Sequence, residues 1–503
     1  NYSKSNIKYI VSSILGLSSV CSGLPNFSDV ISNELDGFIC RTSDEWTCAF
    51  DKLIASPALR VEMGERAREN VLRRYSLDAI ATNFSNETGA AAMPFKPRDK
   101  NRKRVLSVNC LYAPRSFGGA TVVAEALNTR ISEDPRFELL VLTTLSVRYG
   151  RPYDLIRYQH KNHICFGIVL PDYLTADDEV DNPLLEKIFE ALLQELEPDL
   201  IHLHSIQGIG VGLPRAASRV NIPYVITAHD FWWILDRGLF ILSKEDLTSG
   251  PAAEIVDPLK YIQDAKSTQN STARSKNAVA QGASLILTPS DFSAEVYSGL
   301  GFKRVRVNKN GVPFPRKRPT RIKGGSDEIV FGYIDGNTEI KGFHLIKQVF
   351  SDLKLTNAKL LVVDNAINLG RNSFSEKDFV GIQNYEIRPG FNHEGIDEFF
   401  DTIDVLLHPS QSAEPFGLSI REAIVRDVWV IVSDAGGAAD DTRSGENGIV
   451  IPFNNDPEDL KTAIKDTIKA FSVGKHLSMG GNEVRAWDAQ RKEPIALYTE
   501  LLH

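Results

Sequence analysis

Apolar residues follow two alternating periods along most of the chain, one typical of helices and one of short buried strands. Four apolar residues recur at helical spacing ahead of Pro198: Leu185, Ile188, Leu192 and Leu196. Three short apolar strands lie around and beyond them: DLIHLH (199–204), PYVIT (223–227) and SLILT (284–288). Together with VLSVN (105–109), this alternation predicts a parallel sheet covered by helices on both faces.

The alternation stops at a basic, proline- and glycine-containing segment, VPFPRKRPTRIKGGSDE (312–328), and then starts again. Four further strands are predicted: IVFGYI (329–334), KLLVVD (359–364), IDVLLH (403–408) and VWVIV (428–432). The fold class is therefore α/β, with two facing Rossmann-like domains built on parallel sheets. Ligands of such sheets bind at the carboxyl ends of the strands, so we expect the chemistry in the cleft between the domains.

The first 92 residues resemble part of the second domain. A shift of 411 residues superposes Gly16–Cys40 on Asp427–Ile451 without a gap, and the order of strand, turn, polar helix, glycine and strand coincides. Three positions are identical, one of them Ser22 on Ser433. We interpret residues 1–92 as the tail of a preceding, truncated module, and expect an amphipathic helix and a strand where the first residues superficially suggest a signal peptide.

These patterns divide the chain into five parts. They are a partial Rossmann-like segment (1–92), a basic linker (93–104), an amino-terminal domain (105–312), an interdomain linker (313–326) and a carboxyl-terminal domain with a terminal helix (327–503). The first linker carries PFKPRDKNRKR, which favours an extended, solvated segment and leaves contact with an anionic membrane surface open. The segment 1–92 would expose strand edges, so it is expected to dock on its own chain or to mediate self-association.

Composition excludes several classes of protein. The chain has 503 residues, a net charge of −8 and a pI near 5.8, which argues against a nucleic-acid binder. Its five cysteines form no CxxC pair, so a zinc or redox site is not predicted and a reducing cytosol fits best. No run of 18 apolar residues occurs. We expect a cytoplasmic location, with the inner face of the membrane as the alternative.

The most specific local pattern is HPSQSAEPFGLSIREA (408–423), which follows a strand and opens a helix. Glu414 and Glu422 are eight residues apart, so one carboxylate lies at the helix entrance and the other about two turns along. Both can accept hydrogen bonds from sugar hydroxyls. Between them, the backbone N–H groups of Phe416, Gly417 and Leu418 face outward at a helix N-terminus, which favours a phosphate. One segment could thus hold a sugar diphosphate.

The spacing E-x7-E, the preceding PS, the turn AGGAAD (435–440) and the loop GENG (445–448) closely resemble family 4 retaining glycosyltransferases of the GT-B fold. Residues 103–503 resemble one nearly complete enzyme of that family. The resemblance implies that Glu414 contacts the transferred sugar and that Glu422 contacts the nucleoside ribose. At the position of Glu422 the amino-terminal segment has Val11, so it would lack this donor contact.

Three further segments fit the resemblance. Gly118 and Gly119 resemble the glycine loop that approaches the donor, although a tight turn explains them equally well. In TAHDFWW (227–233), His229 corresponds to a family histidine near the transferred sugar. In EIKGF (339–343), Lys341 is a candidate cation for the diphosphate. The family often has an arginine shortly before this lysine, whereas DGN (335–337) stands here, so leaving-group stabilisation would depend more on Lys341.

The resemblance implies transfer of a sugar from a nucleotide-diphosphate sugar with retained configuration. No metal or other cofactor is expected, because no DxD flanked by apolar strand residues lies in the proposed cleft, and Lys341 with a helix N-terminus can neutralise the diphosphate. The expected acceptor is a glycan or lipid-linked glycan in polysaccharide or surface-glycan synthesis. A non-catalytic GT-B module that binds a nucleotide sugar or a partner is the alternative. A nicotinamide-dependent oxidoreductase is less favoured because no GxGxxG follows a leading strand. The sequence does not determine the nucleotide base or the sugar of the donor, the acceptor, or the oligomeric state.

Overall fold

The computed structural model describes residues 6–76, 98–116, 118–234, 240–241, 271–316, 328–367, 372–391, 395–472 and 484–502. Much of the two predicted linkers lies outside these residues. The described chain forms a small amino-terminal unit followed by two α/β domains, each built on its own sheet.

The amino-terminal unit contains one pair of parallel strands and four helices. Its elements are α1 (Ile7–Ile14), β1 (Val20–Ser22), α2 (Pro25–Ser28), β2 (Phe38–Cys40), α3 (Ser43–Ala55) and α4 (Pro57–Tyr75). The expected amphipathic helix followed by a strand is confirmed as α1 and β1. Tyr9 of α1 and Ala67 of α4 are buried in one cluster, so the two helices pack against each other.

The first domain has a sheet of eight strands in the order β11-β10-β8-β7-β3-β4-β6-β5, parallel except for β5. Its strands are β3 (Lys103–Val108), β4 (Phe137–Leu145), β5 (Leu155–His160), β6 (His163–Val169), β7 (Leu200–Leu203), β8 (Tyr224–Thr227), β10 (Leu285–Thr288) and β11 (Val305–Val307). A two-residue strand, β9 (Phe240–Ile241), lies outside this sheet. The helices are α5 (Gly119–Ile131), α6 (Pro183–Leu196), α7 (Gly212–Arg219), α8 (Ser271–Gln281) and α9 (Asp291–Gly299).

Helix α6 contains the periodically spaced apolar residues from which a helix was predicted in this domain. Asn182 caps its start by accepting hydrogen bonds from the backbone of Leu184 and Leu185, and the chain leaves the helix at Glu197 in a left-handed conformation. Leu185, Leu192 and Leu196 are buried in the core beneath the sheet, while Ile188 packs at its margin.

The second domain has six parallel strands in the order β14-β13-β12-β15-β17-β18. They are β12 (Ile329–Tyr333), β13 (Ala358–Asp364), β14 (Tyr385–Pro389), β15 (Val405–His408), β17 (Trp429–Ser433) and β18 (Gly448–Ile451), with the short β16 (Ser412–Ala413) outside the sheet. The helices are α10 (Phe343–Leu353), α11 (Ile396–Thr402), α12 (Leu418–Ile424) and α13 (Pro457–Ser472). The prediction of two parallel Rossmann-like sheets is therefore confirmed.

The last two helices, α14 (Trp487–Gln490) and α15 (Lys492–Leu502), pack on the first domain. Tyr498 of α15 is buried with Val105 and Phe137, and its hydroxyl group contacts His202 of β7. The sequence analysis assigned this terminal helix to the carboxyl-terminal domain (327–503). Its buried apolar side chains, however, pack in the core of the first domain. The chain thus crosses back from the second domain to the first.

The two domains contact each other beyond the carboxyl end of β15. There β16 pairs antiparallel with β9, which aligns Ser412 with Ile241. Ser293 of α9 also donates a hydrogen bond of 3.4 Å to the carbonyl oxygen of Pro415. The segment singled out in the sequence therefore lies at the domain junction. Within the described residues, no helix combines the length and apolar character needed to cross a membrane.

Candidate active site

Glu414 is fixed by the AGGAAD turn that follows β17. Its backbone N–H donates to Ala435 O at 3.0 Å, and its carbonyl oxygen accepts from Gly437 N at 2.8 Å. A Cβ atom at Gly437 would lie 2.3 Å from Pro415 O, so only glycine permits this approach. The two motifs that the sequence separates by some twenty residues are thus joined by backbone hydrogen bonds.

Lys341 reaches the same place from the second domain's first loop. It ends a 3-10 turn, Glu339–Lys341, and Gly342 follows with φ +75°. A Cβ atom at Gly342 would lie 1.9 Å from Pro409 O, so a glycine is needed where this loop packs against the glutamate segment. Lys341 Nζ donates a hydrogen bond of 2.6 Å to Glu414 Oε1. The structure therefore brings these two predicted residues into direct contact.

Three side chains that the sequence analysis did not single out complete the surroundings of Glu414. Ser410 Oγ donates to Glu414 Oε1 at 2.8 Å, and His408 Nε2 lies 3.4 Å from the same oxygen. On its other side, His408 Nδ1 lies 2.6 Å from Asp335 Oδ2. Asp335 begins the DGN segment that stands where the family often has an arginine. A buried histidine thus lies between two carboxylates.

The charges of this cluster determine its protonation. Burial alone would lower the pKa of His408, but the carboxylates of Asp335 and Glu414 outweigh it and raise that pKa to about 10. Burial would raise the pKa of Glu414, but His408 and Lys341 outweigh it and hold the pKa below its usual range. For Lys341, Glu414 likewise outweighs burial and raises the pKa. At neutral pH, His408 and Lys341 are therefore cations, and Glu414 is an ionised carboxylate.

Glu422 is in a different environment from Glu414. Its side chain is buried, and burial raises its pKa to about 7, with partial opposition from Arg426. Arg426 donates to the backbone carbonyl oxygen of Glu422 and pairs with Asp397, so its guanidinium group is engaged elsewhere. Among the described residues, none donates a hydrogen bond to the Glu422 carboxylate. This carboxylate therefore retains its capacity to accept hydrogen bonds from a ligand.

The start of α12 is held by Arg421, which is also buried and was not singled out in the sequence. Its guanidinium group donates to Asp441 Oδ2 at 2.6 Å and to the carbonyl oxygens of Gly437 and Ala438, each at 2.9 Å. The same group lies 4.0 Å from the centre of the Phe416 ring. Arg421 thus fixes the Phe416–Leu418 turn against the AGGAAD turn.

The glycine loop of the first domain reaches this helix. Gly118 caps α5 with φ +84°, a conformation that favours glycine. A Cβ atom at Gly119 would lie 3.8 Å from Leu418 Cδ2. The predicted glycine pair of the first domain and the predicted helix start of the second are therefore neighbours.

His229 lies just beyond β8 and contacts a second histidine. Its Nε2 atom lies 3.0 Å from His204 Nδ1, and the two rings stack. Burial lowers the pKa of His229 to about 4, so the ring is neutral near pH 7. The next residue, Asp230, accepts from Gln207 Nε2, and its carbonyl oxygen accepts from Tyr297 of α9. Since α9 also touches Pro415, His229 is linked to the glutamate segment through this helix.

Two family models match the chain. The first, Glycosyltransferase Family 4, matches residues 117–315, and the second, Glycosyl transferases group 1, matches residues 317–477. This chain belongs to the family 4 glycosyltransferases. Enzymes of this family have the GT-B fold, are retaining, and use a nucleotide sugar as donor.

Individual relatives of this glycosyltransferase have low sequence identity, but the matches span nearly the whole length of each relative. An uncharacterized glycosyltransferase of Methanocaldococcus jannaschii is 22% identical over 411 residues, which are 78% of this chain and 97% of the relative. An uncharacterized 42.6 kDa protein in the cps region of Klebsiella pneumoniae is 20% identical over 71% of this chain and 91% of its own. The crystal structure of Anabaena HepE in complex with UDP and glucose has a TM-score of 0.54 at 17% identity, covering 79% of this chain and 100% of that one.

Both matched ranges lie within residues 103–503 of the glycosyltransferase. They agree with the resemblance drawn from the motifs. They give no support to a second module at residues 1–92.

Proposed function

We propose that Glu414, Glu422 and Lys341 form the donor site of this glycosyltransferase. The observation that carries the proposal is the contrast between the two glutamates on either side of the α12 start. Glu414 is ionised and held by Lys341, whereas the Glu422 carboxylate is buried and accepts no hydrogen bond from the described residues. A nucleotide sugar offers hydroxyl groups to both and a diphosphate to the lysine.

Each residue then has a distinct role. Glu414 orients hydroxyl groups of the transferred sugar, and Glu422 accepts hydrogen bonds from the ribose. Lys341, together with the N–H groups of Phe416, Gly417 and Leu418, stabilises the diphosphate as it leaves. Gly118 and Gly119 let the first domain approach the donor, and His229 lies on the side of the transferred sugar. The departing phosphate helps to deprotonate the acceptor on the same face, so the configuration is retained.

His408 is proposed to supply the positive charge that the absent arginine would bring. It is protonated because Asp335 and Glu414 flank it, and it lies beside the glutamate that also binds Lys341. The ring is buried, so it acts through Glu414 and the local potential rather than by touching the donor.

We propose a UDP-sugar as the donor and a growing polysaccharide, or its lipid-linked precursor, as the acceptor. The Anabaena relative binds UDP and glucose, and the Klebsiella relative lies in a cps region. Both relatives suggest this assignment. A cytoplasmic location with contact at the inner membrane face would suit a lipid-linked acceptor.

A thermal-shift screen against UDP-, GDP-, ADP- and dTDP-sugars tests the donor assignment. A ligand at 100 times its dissociation constant stabilises the folded protein by about 2.7 kcal/mol. We expect this shift with a UDP-sugar and its loss in Glu422→Ala, but not in the control Glu446→Ala, whose side chain is exposed. Binding without transfer or donor hydrolysis would instead identify a non-catalytic module, and binding of NADH would favour the oxidoreductase.

We further propose that residues 1–92 are the carboxyl-terminal remnant of an upstream glycosyltransferase module and contribute no catalytic group to residues 103–503. The comparison is turnover per folded molecule between the full chain and a chain of residues 103–503. Equal turnover is expected. A folded, monodisperse shorter protein that binds donor normally but transfers no sugar would contradict this division.

A further inference from the structure

A row of three histidine rings leads from the terminal helix α15 to the proposed site. His202 lies in β7, His204 directly follows that strand, and His229 follows the neighbouring strand β8. The ring centres of His202 and His204 are 4.1 Å apart, and those of His204 and His229 are 5.3 Å apart. His204 is therefore the middle ring of the row.

The first ring of the row is fixed at both nitrogens. His202 Nδ1 contacts the hydroxyl group of Tyr498 in α15, and His202 Nε2 lies 2.7 Å from Thr227 Oγ1. Both partners are hydroxyl groups, which can donate or accept a hydrogen bond. The His202 ring is thus held in place, and it packs against the ring of His204.

His204 has a hydrogen-bond partner at only one of its two nitrogens. Its Nδ1 lies 3.0 Å from His229 Nε2, whereas its Nε2 is buried and has no partner among the described residues. Burial lowers the pKa of His204 well below its ordinary value and that of His229 to about 4, so both rings are neutral near pH 7. A neutral imidazole has one N–H group and one lone pair, so the contact between the two rings contains one proton.

The two possible positions of this proton have different consequences for His204 Nε2. If His229 Nε2 carried the proton, His204 would keep its own proton on Nε2, as a buried N–H group without an acceptor in the described part of the chain. If His204 Nδ1 carries it, His204 Nε2 has only a lone pair. Buried N–H groups are left unpaired less often than buried acceptors are. The proton on His204 Nδ1 is therefore the favoured arrangement.

This arrangement determines the tautomer of His229. Its Nε2 accepts the hydrogen bond, so the neutral ring must carry its own proton on Nδ1. Among the described residues, none bonds to His229 Nδ1, and the residue is only half-buried. His229 thus has an N–H donor available for a ligand.

We propose that His204 is a positioning residue for the transfer reaction. It donates from Nδ1 to His229, and His229 Nδ1–H then donates to a hydroxyl oxygen of the transferred sugar. This inference rests on the proposed place of His229 beside that sugar. It adds the atom that makes the contact and the residue that determines its protonation.

The proton position is measured by NMR on the full chain with nitrogen-15-labelled histidine and no donor. The signals of His229 are those that disappear in His229→Asn. In the parent we expect the Nδ1–H tautomer of His229 alone. His204→Phe keeps a packed ring but removes the hydrogen bond, so this single tautomer should be lost. His204→Asn should retain it, because the amide can donate in place of Nδ1.

His163→Phe is the matched control. His163 is another buried histidine of the same sheet, it contacts the hydroxyl group of Tyr112, and burial lowers its pKa to about 3. The substitution removes a buried imidazole without touching the row of rings. The tautomer of His229 should stay as in the parent.

Steady-state kinetics with a verified donor give a second measurement. His204→Phe is expected to lower kcat about tenfold, with little change in KM, because one hydrogen bond to the sugar is no longer aimed. His204→Asn should recover most of this loss. His163→Phe should remain within about threefold of the parent.

Two NMR results would overturn the inference: a proton on His229 Nε2 in the parent, or an unchanged His229 tautomer in His204→Phe. Either result leaves the proposed donor site intact. If the tautomers are as expected but His229→Asn keeps the kcat of the parent, His229 does not serve the reaction. That outcome contradicts its place in the proposed function, and with it the positioning role of His204.

Discussion

Lys341 Nζ lies 2.6 Å from Glu414 Oε1, although 73 positions separate the two residues in the chain. Ser410 donates to the same carboxylate oxygen, so Glu414 is oriented before any donor is present. Charge-assisted hydrogen bonds of this length are strong, and in the proposed donor site the second oxygen of Glu414 would accept from a sugar hydroxyl. In the proposed donor site, an incoming diphosphate would meet a lysine that is already positioned by Glu414, the residue proposed to contact the sugar.

The first prediction concerns Glu414→Gln. The amide keeps the shape of the side chain but removes its negative charge. In the proposed site, that charge interacts most strongly with the sugar in the transition state, when the sugar becomes cationic. We expect kcat to fall about 100-fold, the loss typical of one transition-state contact, while the dissociation constant of the donor changes little. Steady-state kinetics with a verified donor measure both. Parent-like kcat in this variant would remove Glu414 from the reaction.

The second prediction is a pH dependence of donor affinity set by Glu422. Its pKa is raised to about 7, so the carboxylate loses its charge as the pH falls through neutrality. In the proposed donor site the ionised form accepts both ribose hydrogen bonds, and therefore donor binding should be about tenfold weaker at pH 6 than at pH 8. Glu422→Gln should bind weakly throughout and show no such dependence. A parent-like pH profile in this variant would assign the titration to another group.

The third prediction concerns the Asp335–His408 pair and stability. The pKa of His408 is raised from an ordinary value near 6.5 to about 10, so the folded state holds its proton more tightly than the unfolded state. Its contribution is complete below about pH 6.5 and is lost as the pH rises through about 10. Asp335→Asn should lower the free energy of unfolding by about 3 kcal/mol at pH 7. It should also reduce the decline in the free energy of unfolding that the parent shows as the pH rises towards 10.

Denaturant titrations between pH 6 and 10 measure that effect. Asp488→Asn is the matched control, because Asp488 forms an exposed ion pair with Arg130. The control should change stability by less than about 1 kcal/mol. If Asp335→Asn retained the full decline of the parent, His408 would not be the group that titrates.

The fourth prediction is that transfer persists in EDTA. Lys341 and the N–H groups at the α12 start can neutralise the diphosphate, with His408 adding positive potential nearby. Activity in EDTA should equal activity in added magnesium within about twofold, whereas Lys341→Ala should lose at least about 100-fold in kcat. Loss of activity in EDTA that magnesium or manganese restores would contradict this.

The fifth prediction compares two glycines with positive φ in one loop. Gly342→Ala would place a Cβ atom 1.9 Å from Pro409 O, so the loop must move and take Lys341 away from Glu414. Gly336→Ala, at φ +83°, meets no atom within 4 Å and carries only the backbone strain of about 1 kcal/mol. We expect kcat to fall sharply only in Gly342→Ala. Equal activity of the two folded variants would show that this contact does not position the lysine.

The sequence by itself determined the two-domain α/β fold and most of the proposed donor residues. The spacing of apolar residues in strands and helices is a local property of the sequence. The helix containing Leu185, Leu192 and Leu196 could therefore be predicted from this spacing alone. Gly342 could be predicted for a related reason, because its close approach to Pro409 is a backbone requirement. The E-x7-E spacing was identified through its resemblance to a known family.

Only the tertiary structure determined which of these side chains contact each other and which neighbouring residues fix their positions. His408 and Asp335 are ordinary in the sequence, and only the pairing of β12 with β15 brings their side chains together at the ends of neighbouring strands. The terminal helix likewise had no local signal for its partner, since burial of Tyr498 depends on a surface built hundreds of residues earlier. Long-range contacts of this kind depend on how the sheets pack, whereas periodicity records only whether a residue faces a core.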